Sequence, residues 1–323
     1  MVNTVSGTIA PEKLGWTLVH EHFYFAYPGW QADASMAPYD CQALLRTGLE
    51  MCQTLKSAGI QTVIDASPND TGGREPLLFK ELSSRSGINI ICTTGLYTEG
   101  RGAPTYWKVK MAYGTDIAKM LCELFITELT KGIGNTGVKA GVIKVASSAA
   151  LTEYEKEVHK AAVMAQKATG APIITHTDEL SGLEQADFLL SQGANPRKVL
   201  IGHVTNSEEI DYHRAILKRG VCICFDRLGL VSPFSAPDEV NVRNIATLVR
   251  EGYVDRIMLS HDVVNFWLGR TAGNTSPARR AEPVRGVDHV CRNVIPALKA
   301  QGVSDEEVRA MMVENPKRLF SSE

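Results

Sequence analysis

Short apolar runs rich in β-branched residues alternate along the chain with longer segments in which apolar residues recur at helical spacing. The runs predict eight strands, which cover residues 16–22, 61–66, 88–94, 138–146, 172–176, 199–203, 221–225 and 256–262. The helical stretches between them include 41–57, 116–131, 154–168, 207–218 and 242–251. Apolar strands joined by helices are typical of parallel sheets, whose strands are buried on both faces. Eight repeats of strand then helix predict a (β/α)8 TIM barrel, with a doubly wound open sheet as the alternative.

The polar residues near the ends of these strands favour the barrel. In barrel enzymes the catalytic side chains come from the C-terminal ends of several different strands. The residues found there are His20, His22, Lys144, His176, His203 and Asp262. An open dinucleotide-binding sheet requires a Gly-rich phosphate turn after its first strand, and the segment HEHFYFAYPGW contains none.

Composition narrows the class of protein. The 323 residues are 44% hydrophobic and 22% charged with a net charge of -2, which is typical of a soluble globular protein. We expect a single domain over residues 1–323, a cytoplasmic location, and no binding to nucleic acid or membrane. The basic stretch with Arg270, Arg279, Arg280 and Arg285 is interpreted as a solvated loop, with an anion site as the alternative. Seven scattered cysteines predict reduced thiols rather than disulfides, and Cys222 and Cys224, which lie in one apolar run, are interpreted as core residues rather than a metal site.

Two long connections are expected to shape a substrate pocket. They are residues 95–113 after the third strand and 263–285 after the eighth. The second connection contains Phe266 and Trp267 among Gly, Asn, Ser and Pro, and we expect a mobile lid with an aromatic surface. The final helix, ending near ENPKRLF, is expected to pack against the barrel.

The His20-Glu21-His22 triplet indicates metal chemistry. In a strand the side chains of residues i and i+2 point the same way, so both imidazoles face one point and Glu21 faces the opposite side. Imidazole and carboxylate ligands suit zinc, iron and cobalt. Lys144 is unusual in such a set, because an ammonium group repels cations. It either contacts substrate as a cation, or its amine has reacted with carbon dioxide to give a carbamate that can bridge two metals.

A single buried histidine is more often a hydrogen-bonded core residue than a ligand, and the joint placement on several strands is what favours metal binding. His159, His213 and His289 lie in helical stretches without partners in register and are interpreted as surface or packing residues.

The segments VHEHF, GVIKVASS, THTD, IGHVTNS, CFDRLG and LSHD closely resemble the phosphotriesterase family of the amidohydrolase superfamily, from about Gly15 to ENPKRLF. The resemblance implies two divalent metal ions, bridged by carbamylated Lys144 and a hydroxide. It assigns the more buried ion to His20, His22 and Asp262, and the more exposed ion to His176 and His203. Zinc is favoured, with cobalt, iron or manganese as alternatives, and a homodimer is implied by analogy. Asp262 is expected to act also as the general base.

The family contains lactonases and phosphotriesterases, which share these ligands. Tyr97 in GLYTEG and Arg227 in CFDRLG resemble the lactonase branch, and with Phe266 and Trp267 they are the predicted substrate residues. Tyr97 can instead be a packing residue, and Arg227 can instead pair with Asp226 or another carboxylate. We expect a lactonase that opens N-acyl-homoserine lactones, a quorum-quenching enzyme, with promiscuous organophosphate hydrolysis. The alternatives are a phosphotriesterase, a hydrolase of another lactone or carboxylic ester, and a barrel retained as a binding module.

Overall fold

The computed structural model describes residues 1–233, 235–270 and 286–321. Strands in the described part of the chain are β1 (Val2–Thr4), β2 (Gly7–Ile9), β3 (Thr17–Phe25), β4 (Thr62–Asp65), β5 (Asn89–Gly95), β6 (Val142–Ser147), β7 (Ile173–Thr177), β8 (Val199–Ile201), β9 (Cys222–Phe225), β10 (Ile257–Leu259) and β11 (Val264–Trp267). Helices in the same ranges are α1 (Cys41–Ser57), α2 (Pro76–Ser86), α3 (Thr105–Ala112), α4 (Ile117–Thr130), α5 (Glu153–Thr169), α6 (Gly182–Ser191), α7 (Ile210–Leu217), α8 (Asp238–Arg250), α9 (Ile295–Ala300), α10 (Asp305–Arg309) and α11 (Asn315–Phe320).

Strands β3 to β10 pair in parallel in chain order and form a TIM barrel. The last strand, β10, lies next to the first, β3: just after β10, the Asp262 amide donates a hydrogen bond to the His20 carbonyl at 3.0 Å. All eight predicted strands are confirmed, and so are the five predicted helical stretches, with ends that differ by a few residues. The barrel class is therefore confirmed as well.

Two apolar layers support the barrel. One is a small cluster to which the barrel strands contribute one or two residues each, such as Val142, Ile174 and Met258, together with Leu319 and Phe320 from the C-terminus. The larger cluster lies between the sheet and the surrounding helices. Val142 and Ile174 each precede a predicted ligand by two residues, so Lys144 and His176 project from the same faces of their strands toward the barrel interior.

Two local predictions need correction, and one element of the fold was not predicted. Residues 264–267 were expected in a lid, yet they form β11, which pairs in parallel with β3. Their aromatic and β-branched side chains suit a strand, and β3 runs to Phe25, beyond the predicted end at His22, so it offers an edge for pairing. The connection 95–113 contains helix α3. An antiparallel hairpin, β1 and β2, precedes the barrel.

The cysteines, the C-terminal helices and the basic stretch were also the subject of predictions. Each of the seven cysteines is a free thiol, and Cys222 and Cys224 lie in the interior cluster. The C-terminal helices pack against the barrel, and Phe320 is buried. No helix within the described ranges is long and apolar enough to cross a membrane. Arg270 pairs with Asp33, whereas residues 271–285, including Arg279, Arg280 and Arg285, lie outside the described residues.

Candidate metal centre

The structure brings the six predicted ligands together at one end of the barrel. His20 Nε2 lies 2.8 Å from Lys144 Nζ and 3.5 Å from Asp262 Oδ1, and His22 Nε2 lies 3.4 Å from the same carboxylate oxygen. His203 Nε2 lies 2.7 Å from His176 Nδ1 and 3.7 Å from Asp262 Oδ2. Four imidazole nitrogens, one amine and one carboxylate thus converge on a small volume.

Each of the four histidines points one ring nitrogen at the centre and the other at a fixed oxygen. His22 Nδ1 lies 2.8 Å from Ser67 Oγ, and His176 Nε2 lies 2.9 Å from Asp178 Oδ1. The Nδ1 atoms of His20 and His203 both face Asp226, at 2.8 and 2.9 Å. An oxygen partner that accepts the outward N–H leaves the lone pair of the inward nitrogen available for a metal.

Asp226 is fully buried between two histidines. By distance it can be grouped with His20 and His203 as a third ligand. However, its oxygens face their Nδ1 atoms, and His203 also donates its backbone N–H to Asp226 Oδ1 at 2.8 Å. We therefore assign Asp226 the role of orienting the two rings. Sequence reasoning considered it only as a partner of Arg227.

Burial sets the charge of these groups. Desolvation lowers the pKa of His20 and His203, and it lowers that of His176 to about 3, so the rings are neutral at pH 7. The Lys144 amine is buried, which lowers its pKa to about 8 and makes the neutral amine accessible. A neutral amine is the form that reacts with carbon dioxide, so this position suits a carbamate.

Two of the predicted ligands have strained backbones. His203 and Asp262 both have a backbone φ of 55°, which lies in the left-handed region that residues other than glycine rarely adopt. Such outliers persist only where the surroundings hold them, and they cluster at functional sites. Their presence in two residues of one constellation supports a functional centre.

The donor set fits two divalent metal ions. His20, His22 and Asp262 would hold one ion, and His176 and His203 would hold the other, with Lys144 next to His20 between the two groups. Neutral imidazoles with a carboxylate are suitable ligands for zinc and related metals. Glu21 faces away from the centre, as expected from the alternation of β3.

The predicted substrate residues lie at different distances from this centre. The Tyr97 hydroxyl is 3.5 Å from both ring nitrogens of His176. Arg227 donates to Asp262 Oδ2 at 3.0 Å and to Asn206 Oδ1 at 2.8 Å, so its carboxylate partner is Asp262 and not Asp226. A role of Arg227 in substrate binding stays a prediction.

Trp267 and Phe266, the two predicted substrate residues on β11, have different contacts. Trp267 lies 5.4 Å from the Phe25 ring and 6.1 Å from the Tyr27 ring, and these three side chains form what we call the aromatic wall. The Phe25 ring in turn lies 5.2 Å from His22 and 6.2 Å from Tyr97, so the wall is continuous with the centre. Phe266 packs against the hydrophobic core instead. Phe25 and Tyr27 were missed because the first strand was expected to end at His22.

Two further residues at the centre were also missed. Arg101 Nη2 lies 3.1 Å from His176 Nε2, and the same guanidinium pairs with Asp178. Asp178 was visible in the THTD segment, two residues after a predicted ligand, but Arg101 has no such signal. Three of the other four histidines, His159, His213 and His289, are buried, in agreement with their interpretation as packing residues.

The phosphotriesterase family model matches residues 1–320. The chain belongs to the phosphotriesterase family. It is therefore a hydrolytic enzyme of a family that uses a binuclear divalent metal centre.

Solved structures and a curated relative agree with this assignment. An organophosphorus hydrolase from Deinococcus radiodurans is 42% identical, with 99% of this chain and 96% of that one covered and a TM-score of 0.92. A mutant of a phosphotriesterase-like lactonase from the same organism is 40% identical, with 99% and 100% coverage and a TM-score of 0.93. An aryldialkylphosphatase from Saccharolobus solfataricus is 30% identical, with 97% of each chain covered.

Proposed function

We propose that this phosphotriesterase-family hydrolase is a two-metal lactonase that opens the ring of N-acyl-homoserine lactones. The observation that carries the proposal is the Tyr97 hydroxyl, which lies beside the metal ligand His176 and is continuous with the aromatic wall. The likeness to a lactonase structure at 40% identity supports the same reaction class.

Tyr97 is suited to stabilise the leaving group. Its side chain is buried, and desolvation raises the pKa of the hydroxyl well above its usual value, so the phenol keeps its proton at neutral pH. A protonated phenol can donate a hydrogen bond to the ring oxygen as the C–O bond breaks, where negative charge develops.

Asp262 would perform the proton transfer, and Arg227 would hold it in place. When bound, two divalent cations lower the pKa of a water molecule toward neutrality and polarise the carbonyl under attack. Asp262 can accept the proton from that water and pass it to the leaving alkoxide. Arg227, at 3.0 Å from the Asp262 carboxylate and braced by Asn206, fixes the orientation of this base. Lys144, as a carbamate, would supply the bridging anion.

The aromatic wall would bind the acyl chain. Phe25, Tyr27 and Trp267 present aromatic rings on the side of the centre that is nearest His22. Burying a methylene group contributes about 0.8 kcal/mol, so each carbon that reaches the wall raises affinity roughly fourfold. A preference for longer acyl chains follows if the chain lies along these rings.

The direct test is a panel of N-acyl-homoserine lactones of increasing chain length, together with simple γ-lactones and linear esters, assayed with zinc-loaded protein. The proposal predicts ring opening with a kcat/KM that rises with acyl length, and weaker activity on linear esters. The Lys144→Ala variant is the control for contaminating hydrolases. Cleavage of linear esters without any lactone opening would contradict the proposal.

Organophosphate hydrolysis is the second candidate. It is favoured by the likeness to the organophosphorus hydrolase at 42% identity and to the aryldialkylphosphatase at 30% identity, because the family generally uses a binuclear divalent metal centre. We propose it as a promiscuous activity of the same centre, since the two reactions can use the same water and the same cations.

A further inference from the structure

Two side chains behind the metal ligands form a fully buried pair. Glu21, between His20 and His22, and His261, next to Asp262, are both 0% exposed. Glu21 Oε1 accepts from the His261 backbone N–H and from His261 Nδ1, each at 2.8 Å, and also from Ser260 Oγ at 2.8 Å. Its other oxygen accepts from the Val263 N–H at 3.0 Å. A carboxylate with four donors in the barrel interior is firmly held.

These hydrogen bonds surround the strained residue Asp262. The backbone N–H groups of the residues before and after it, His261 and Val263, both donate to Glu21. Its own N–H donates to the His20 carbonyl at 3.0 Å. Three successive amides are thus bound to strand β3, and this arrangement holds Asp262 at its φ of 55°. The carboxylate of Asp262 is thereby directed at the metal centre while Glu21 stays behind it.

The second nitrogen of the His261 ring has a different partner. His261 Nε2 accepts the Val290 backbone N–H at 2.9 Å, so the ring is neutral and carries its proton on Nδ1. Val290 opens the π-helical turn Val290–Val294 that leads into α9. The ring therefore connects Glu21 to the first turn of the C-terminal helical segment.

We propose that His261 is a positioning residue for the metal ligand Asp262. Val290 fixes the ring through Nε2, and the ring fixes Glu21 through Nδ1. Glu21 then holds the amides on both sides of Asp262. The inference rests on the proposed two-metal function, because it assigns a cause to the orientation of one metal ligand.

Two substitutions separate the two ring nitrogens. In His261→Asn the amide nitrogen lies near the position of Nδ1 and can still donate to Glu21, but it cannot reach Val290. In His261→Gln the amide oxygen lies near the position of Nε2 and can still accept from Val290, but the donor to Glu21 is lost.

The readouts are metal affinity, from zinc titration against a chelator, and hydrogen–deuterium exchange of the peptide that contains Val290. For His261→Asn we expect two zinc ions bound within about threefold of wild-type affinity and faster exchange at Val290. For His261→Gln we expect wild-type exchange at Val290 and at least tenfold weaker binding at one zinc site, the range typical of lost outer-sphere support. His213→Gln is the control, because His213 is another buried histidine whose Nε2 bonds the main chain, in its case as the donor to the Val204 carbonyl. It should leave both readouts unchanged.

The result that overturns the proposal is equal zinc affinity in the Gln and Asn variants, whether both are normal or both are weakened. If neither variant folds, judged by circular dichroism, Glu21→Gln decides: it replaces one acceptor oxygen with a donor, and the proposal predicts at least tenfold weaker binding at one site. Wild-type affinity in Glu21→Gln would then overturn the proposal. Because zinc binding needs no substrate, a wild-type protein that binds two zinc ions but opens no lactone would refute the proposed function alone.

Discussion

Replacing Asp226 with asparagine tests how the protein orients two of its predicted metal-ligand histidines. The carboxylate accepts from the ring and backbone of His203 through one oxygen and faces His20 Nδ1 with the other, at 2.8 Å. Asparagine keeps only one of these oxygens. If the remaining oxygen serves His203, which makes two bonds to it, the new NH2 group faces the N–H of His20.

Two donors cannot face each other at that distance, so the His20 ring must rotate or move its proton to Nε2. Nε2 is the atom that lies 2.8 Å from Lys144 and is needed as a ligand. Loss of such an outer-sphere partner typically weakens metal binding by about 10- to 100-fold, or about 1.4 to 2.7 kcal/mol. We therefore expect this loss at the site that contains His20, with a smaller effect at the site of His176 and His203.

Zinc titration against a chelator, followed by isothermal titration calorimetry, measures the two sites separately. Asp70→Asn is the control, because Asp70 is a half-buried carboxylate that accepts the Tyr97 and Ala103 amides rather than a histidine ring. It should leave both zinc affinities unchanged. Two zinc ions bound at wild-type affinity in Asp226→Asn would refute the reasoning.

Three further predictions concern the bridge, the substrate and acid stability. Lys144→Ala should lose metal and activity, and short carboxylic acids should partly restore both; full metal content without added acid would argue against the carbamate. Tyr97→Phe should lower kcat for lactone opening on the order of 100-fold while changing paraoxon hydrolysis little, and an equal loss on both substrates would make Tyr97 a packing residue. His159 and His213 are buried as neutral rings, and desolvation lowers the pKa of each to about 4. Their contribution to the free energy of unfolding is complete above pH 6.5 and falls as the pH drops toward 4, because the unfolded chain then binds protons that the folded chain does not. The loss amounts to roughly 3 kcal/mol per histidine at most. Urea unfolding at pH 7 and pH 5 measures this decrease in stability, and a free energy of unfolding that does not change with pH would contradict the prediction. The His213→Gln variant should lose less stability between the two pH values than the wild type.

The barrel and the convergence of the candidate ligands could be predicted because both depend on local patterns. A strand has a side-chain period of two, so a residue such as Lys144 near the end of an apolar run must lie on one of two faces. The repeat of strand and helix then brings all the strand ends to one side of the barrel. The orientation of Glu21 follows from the same periodicity.

The residues that orient the ligands could not be predicted, because their roles depend on contacts between distant parts of the chain. Glu21 and His261 are 240 positions apart in sequence and 2.8 Å apart in the structure. Ser67 contacts His22 from 45 positions away. Serine after a buried strand carries no signal of this role. Strand β11 was missed for a related reason: four residues inside a Gly- and Pro-containing segment form a strand only because the long β3 offers them an edge.

The central claim is best tested by the ratio of two kcat/KM values measured on one zinc-loaded preparation, for a long-chain N-acyl-homoserine lactone and for paraoxon. A lactonase whose Tyr97 supports ring opening and whose aromatic wall binds the acyl chain should favour the lactone by at least about 100-fold. Fast paraoxon cleavage, with no opening of any N-acyl-homoserine lactone, would contradict the account and identify the chain as a phosphotriesterase.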